Sequence, residues 1–146
     1  MDEAKSDGSD GRVTSNEYKL VPGATYTKNL QIHVAAGSEA CYLFVKIADA
    51  FATIDSGIVA DLTNNGWKAL TGVAGVYYYE KAGTSIVASS NSVQDITVIS
   101  DFTVNTNATA SDLDDFVDAA GYEVIAYAVQ ASGFTGVADA WTVFAN

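Results

Sequence analysis

In 146 residues this chain has one cysteine, one histidine and one proline. A lone Cys41 cannot close an intramolecular disulfide. It alternates with Leu43, Val45 and Ile47, so it reads as a small buried hydrophobe and not as a reactive thiol. A lone His33 cannot supply the three or four ligands of a conventional zinc site. Bases are also few. Seven Lys and Arg stand against eighteen Asp and Glu, a formal net charge of -11. Phosphate backbones and anionic membrane surfaces both need a basic face, so the balance argues against them, and the acidity reads as a solubility device. No apolar run approaches the ~20 residues of a membrane-spanning helix. Asp2, Glu3 and Lys5 directly follow Met1, with no apolar signal-peptide core. Either the protein is cytosolic, or a leader has been removed and Met1 is an added start.

The inventory of reactive motifs is equally short. There is no Gly-x-Ser-x-Gly elbow, no His-Glu-x-x-His and no glycine-rich phosphate loop leading into a helix. Two carboxylates could meet from distant positions as a glycosidase pair, but the sequence nominates none. No enzyme activity, metal or cofactor is expected.

What is present suits a single β-domain. Hydrophobic residues make up 49% of the chain, enough for one core. Residues 1–16 are polar and read as a flexible segment before a single sandwich domain over 17–146. An Asp/Gly-rich calcium loop could start at Ser6, but Ser6 and Gly8 would fill ligand positions that need carboxylates. Pro22-Gly23 predicts a turn, with proline fixing φ and glycine accepting φ > 0. Tyr26, Lys28, Leu30, Ile32 and Val34 then share the inner face of a strand, with His33 on its polar face. Residues 41–48 are apolar on both faces and predict a strand within a sheet. A helix is expected over Asp55–Asn65, with Ile54, Ile58, Val59 and Leu62 on one face and Asp55 or Ser56 as cap. Trp67 opens a strand. In the strand from Val76, Tyr78 faces one way while Tyr77 and Tyr79 face the other. Over Asp95–Val104, Ile96, Val98, Ser100, Phe102 and Val104 point inward and Thr97, Ile99, Asp101 and Thr103 outward. Ser111 and Asp114 suggest a capping box for a helix with Leu113, Phe116, Val117 and Ala120 as its stripe. Tyr122–Ala131 reads as a central strand buried on both faces, with Gln130 inside it bonding backbone. Gly133-Phe134 turns the chain into a short helix ending near Trp141. Six or so short strands with glycine turns predict an all-β, antiparallel sandwich with two or three short connecting helices.

Several segments, taken together, resemble one family. They are Tyr18-Lys19-Leu20-Val21-Pro22-Gly23 with Tyr26-Thr27-Lys28-Asn29 and His33-Val34; Gly37 to Lys46; Asn65-Gly66-Trp67 with Tyr77-Tyr78-Tyr79; and Ala126-Tyr127-Ala128-Val129-Gln130-Ala131 with Gly133-Phe134 and Ala140-Trp141. In this order, from about Tyr18 to Trp141, they resemble the TasA/camelysin family. Its precursors carry a signal peptide removed by a SipW-type peptidase. The resemblance implies a jelly-roll sandwich, extracellular or at the cell surface of a Gram-positive-type bacterium. It implies a structural subunit of a biofilm-matrix fibre or surface layer. Partners would be further copies of the chain or related matrix subunits, joined when an N-terminal strand of one completes the sheet of the next. In family precursors a strand-forming segment precedes the position of Asp2 to Lys5, where this chain begins. The expectation is therefore a sandwich short of one strand, with an open groove or edge flanked by Cys41–Ala48 or by the final strand. A second reading is a glycan- or host-binding module using Trp67, Tyr77, Tyr78, Tyr79 or Trp141 as stacking faces. Camelysin-like members are also described as metalloproteases, a reading that one histidine and no recognisable ligand set disfavour.

Overall fold

The computed structural model describes residues 1–6, 8–14, 18–118 and 123–145. In chain order the elements are β1 (Glu3–Ala4), β2 (Arg12–Val13), β3 (Thr25–Val34), β4 (Cys41–Ile47), α1 (Asp49–Ile54), α2 (Ile58–Asn64), β5 (Trp67–Ala69), β6 (Val76–Tyr79), β7 (Ile86–Val87), β8 (Gln94–Thr103), α3 (Ala110–Asp118), β9 (Val124–Gln130) and α4 (Val137–Trp141). The chain is an all-β, antiparallel protein with short helices. β3 and β8 form one two-stranded sheet. A second sheet runs β5-β6-β4, with β7 continuing beside β4 and β9 on the opposite edge of β4.

β4 is the strand the structure is built around. One of its faces carries Cys41, Leu43, Val45 and Ile47 into a cluster with Leu30, Ile32 and Val34 of β3 and Ile96, Val98 and Phe102 of β8. Its other face carries Tyr42 and Phe44 into a second cluster closed by Ala140 and Trp141 of α4. Only Lys46 is exposed. α1, α2 and α3 close one end of the main cluster through Phe51, Ile54, Ile58, Leu62 and Phe116.

Several expectations hold. β3 alternates as its sequence implies, from Lys28 to Val34. Tyr77 and Tyr79 join the main cluster while Tyr78 joins the second. Pro22-Gly23 forms a tight turn in which Gly23 takes φ 80° and the Ala24 amide donates to the Val21 carbonyl at 3.0 Å.

Others need correction. The final strand is not central: among the described residues β9 pairs only with β4, and its residues are half-buried or exposed. Gln130 accordingly lies exposed and not inside the strand. Tyr122, read as its first residue, lies outside the described residues. Ile99, expected outward, is fully buried. Register shifts lie on both sides of the Leu30↔Ile99 pair, so strict alternation breaks there. The helix expected over Asp55–Asn65 is α2, starting at Ile58, and α1 precedes it unforeseen. Asp55 separates the two because its buried carboxylate accepts from the Gly57 amide at 2.7 Å and the Thr103 amide at 3.1 Å. Val59, placed on the apolar stripe, is 49% exposed. The cap of α3 lies two residues earlier than read. Thr109 and Asp112 exchange the capping bonds, with the Thr109 amide donating to Asp112 at 2.7 Å and the Asp112 amide to Thr109 Oγ1 at 3.2 Å. Leu113 and Phe116 of its stripe pack on the main cluster. The Val117 side chain, Ala120 and Gly121 lie outside the described part. Residues 1–16 carry the β1–β2 pair, with Glu3 buried.

Phe44 is fully buried in the second cluster, its ring 5.2 Å from Trp141 and 6.1 Å from Phe144. Phe44→Ala should therefore cost about 3–5 kcal/mol in urea unfolding. A loss below about 1 kcal/mol would mean that the second cluster does not hold α4 on the sheet.

Candidate functional site: an open side between the sheets

A sheet edge left bare is a template for another strand, so most proteins blunt theirs. Here the outer edge of β8 is covered by side chains of α2, β5 and the short connections beside them. The Ser100 amide donates to Asp61 at 2.8 Å, and the Thr103 amide to Asp55. The Val98 carbonyl accepts from Asn65 Nδ2 at 3.2 Å, and the Thr97 carbonyl from Trp67 Nε1 at 2.8 Å. Burial pushes the Asp61 carboxyl up, against the opposing pull of the Ser100 amide. β5, at the far end of the second sheet, has only three residues.

β9 is different. It has seven residues, and among the described residues neither a strand nor a side-chain hydrogen bond engages its outer edge. Its Ala126 and Ala128 are exposed on the same side as Val124 and Gln130, which is the side facing β3. Between β3 and β9 lies an apolar groove of about 400 Å³, floored by Cys41 and Leu43 of β4. Ile32 and Val34 form one wall, Ala128 and Gln130 the other, and His33 and Glu39 stand at its rim. Burial pushes the Cys41 thiol up, as expected of a small core residue.

The N-terminal segment covers part of the β3 edge. Asp2 and Gln31 exchange backbone bonds of 3.0 and 2.8 Å in an antiparallel bridge. Glu3 meets Lys28 at 2.6 Å, an ion pair buried at both ends, and accepts from the Tyr18 hydroxyl at 3.2 Å. Lys28 also lies 5.3 Å from the centre of the Tyr18 ring. Arg12 pairs with the Asp2 carboxylate and donates to the Asn29 carbonyl at 2.6 Å. His33, read as a solvated strand residue, is exposed yet bonded on both ring nitrogens. Nδ1 is 2.7 Å from Asp95 and Nε2 is 2.8 Å from Asp2. Asp2 and Asp95 hold the imidazole above its ordinary pKa, and Arg12, with His33, holds Asp2 below its own.

The residues that carried the family resemblance fall into separate places. Pro22 and Gly23 are exposed at the turn before β3. Trp67 is 1% exposed, its ring 5.4 Å from Tyr79. Tyr127, Phe134 and Trp141 belong to the second cluster, with Tyr127 5.2 Å from Trp141. Tyr77, Tyr78 and Tyr79 are half-buried on opposite faces of β6. The two tryptophans therefore offer no free stacking face. Gln130 lines the groove, together with His33, Val34, Cys41, Leu43 and Ala128 of the same resembling segments. The Glu3–Lys28 pair was missed in the sequence, although an inward-facing Lys28 on an alternating strand signals that an acid must meet it. Among the described residues no three His, Cys, Asp or Glu gather to hold a metal ion. Compared with known protein families, curated proteins and solved structures, the chain matches none.

Cys41 reports on this groove. In the native protein a thiol-disulfide reagent should label it slowly even at mildly alkaline pH, and quickly once urea unfolds the chain. Rapid native labelling would mean that the Cys41 thiol is not buried in the β4 core face.

Proposed function

We propose that the chain is a structural subunit of an extracellular or cell-surface fibre, assembling by strand addition at the open side between β3 and β9. The two sheets are then the halves of a jelly-roll-like sandwich whose open side receives an extended segment from the N-terminal side of a second copy, or of a related matrix subunit. The observation that carries this reading is the bare seven-residue edge of β9 beside an apolar groove. An added strand would gain backbone hydrogen bonds from β9 and set alternate side chains over Cys41 and Leu43. Exposed Ala126 and Ala128 leave room for that strand, since neither projects a bulky side chain. The resemblance to the TasA/camelysin family supports the same reading and its extracellular setting. On this account the protein's work is mechanical and not catalytic. A glycan-binding module is the weaker reading, because Trp67 and Trp141 are buried. Among the described residues no ligand set supports a camelysin-like protease.

Ala128→Lys places a charge at the groove wall while leaving the core untouched. Its unfolding should change by less than about 0.5 kcal/mol, while fibre growth falls at least about tenfold, as expected of a charge facing a strand edge. Growth is followed by light scattering and electron microscopy on the protein in the form in which it is secreted. Unchanged growth of the variant, or a parent that stays monomeric under every assembly condition, would remove the proposal.

A further inference from the structure

The N-terminal segment seats on β3 almost without apolar contacts. Its described apolar side chains are Met1, Ala4 and Val13, and Met1 is 40% exposed. Beside the backbone bridge to Gln31, what holds it is charge: Glu3 on Lys28, and Asp2 between Arg12 and His33. A strand held by burial leaves only on unfolding, whereas one held in part by exposed ion pairs, as at Asp2 and His33, can be loosened by titration.

The His33 contacts have a stringent requirement. Both ring nitrogens lie within 2.8 Å of carboxylate oxygens, Asp95 on one side and Asp2 on the other. Ionised carboxylates only accept hydrogen bonds, and a neutral imidazole has a single N–H. Both contacts can be hydrogen bonds only when the ring is an imidazolium. On losing its proton, one nitrogen would turn a lone pair toward a carboxylate. The charged groups around the ring are Asp2 from the N-terminal segment, Arg12 of β2 acting through Asp2, Asp95 of β8, and Glu39 at the same groove rim. Within the bonded set of four, Arg12 and His33 balance Asp2 and Asp95 while the ring is an imidazolium. Without its charge that set carries one uncompensated negative charge, in addition to Glu39 at the rim.

We propose that the β1–β2 pair with Asp2 is a releasable clasp over the free edge of β3, closed when His33 is protonated and loosened when it is not. Loosening breaks the Asp2–Gln31 bridge and bares the β3 edge next to the groove. On the assembly reading above, this makes the clasp a brake on strand addition, and that consequence rests on the reading while the clasp does not.

The pH window follows from the directions of the two shifts. His33 is raised in the closed form, so its contribution is complete below the ordinary 6.5 and is lost as pH rises through the raised value. Asp2 is lowered, so its contribution is complete above the ordinary 3.8 and is lost as pH falls through the lowered value. The clasp is tightest between those two pH values.

NMR of the full chain tests this directly, because His33 is the only imidazole. Its titration is followed from about pH 5 to about pH 9 alongside amide exchange, corrected for intrinsic rate. Protection of the Gln31 and Asp2 amides should fall as His33 loses its proton, while Val45 in the centre of β4 stays protected. The fall should be tenfold for each pH unit by which the His33 midpoint exceeds its value in Asp2→Asn, where only the Asp95 carboxylate remains beside the ring. In His33→Gln the pH dependence should vanish. Gln31 protection indifferent to the His33 titration, or an unchanged pH profile in His33→Gln, would overturn the clasp. Fibre growth is scored separately. A titrating clasp in a chain that never polymerises leaves the clasp standing and removes the assembly reading, while a polymerising chain whose Gln31 ignores His33 does the reverse.

Discussion

Burial of β4 on both faces requires a layer on each side of it, and that requirement arranges the rest of the molecule. Leu43 and Val45 need the β3–β8 sheet; Tyr42 and Phe44 need α4 and the rings of Trp141, Tyr127 and Phe144. Each fully buried large side chain contributes roughly 1.5–3 kcal/mol, so the strand cannot slip by one residue without exchanging two complementary surfaces. β6, β7 and β9 then follow as the strands that satisfy its backbone.

Satisfying one strand makes new edges, and the chain treats these unequally. The β8 edge is occupied by polar side chains of Asp55, Asp61, Asn65 and Trp67, which take the place of a neighbouring strand. The β3 edge is met by a short charged segment. Among the described residues the β9 edge has neither. It presents small apolar residues beside a groove whose floor is the β4 core face itself. This inequality links the fold to the proposed assembly: stability is secured around β4, while the open side is kept available.

Periodicity in the sequence reported burial well wherever a strand is buried by its immediate layer. β3, β4 and the three tyrosines of β6 are legible on that basis, as are the Pro22-Gly23 turn and the Phe134–Trp141 cap. It failed for β9, because an edge strand beside an apolar groove carries the same two apolar faces as a central one. It failed at Ile99, where register shifts reset alternation without any local mark such as glycine. Caps were placed in the right region but on the wrong residues. Ser111 and Asp114 have the spacing, yet Thr109 and Asp112 make the bonds. The edge coverings and the charged clasp join residues many positions apart, such as Glu3 with Lys28 and Asp2 with His33 and Asp95, and only Lys28 on an inward face announced one of them.

Strand addition at β9 requires that its outer edge be bare in the free subunit. Residue-by-residue amide exchange across Val124–Gln130 tests it most directly. Amides bonded to β4 should be protected and the alternate, outward-facing ones should exchange rapidly, a two-residue rhythm that follows from pairing on one side only. Uniform protection of all seven amides in the monomer would show that the edge is already covered and would contradict the account.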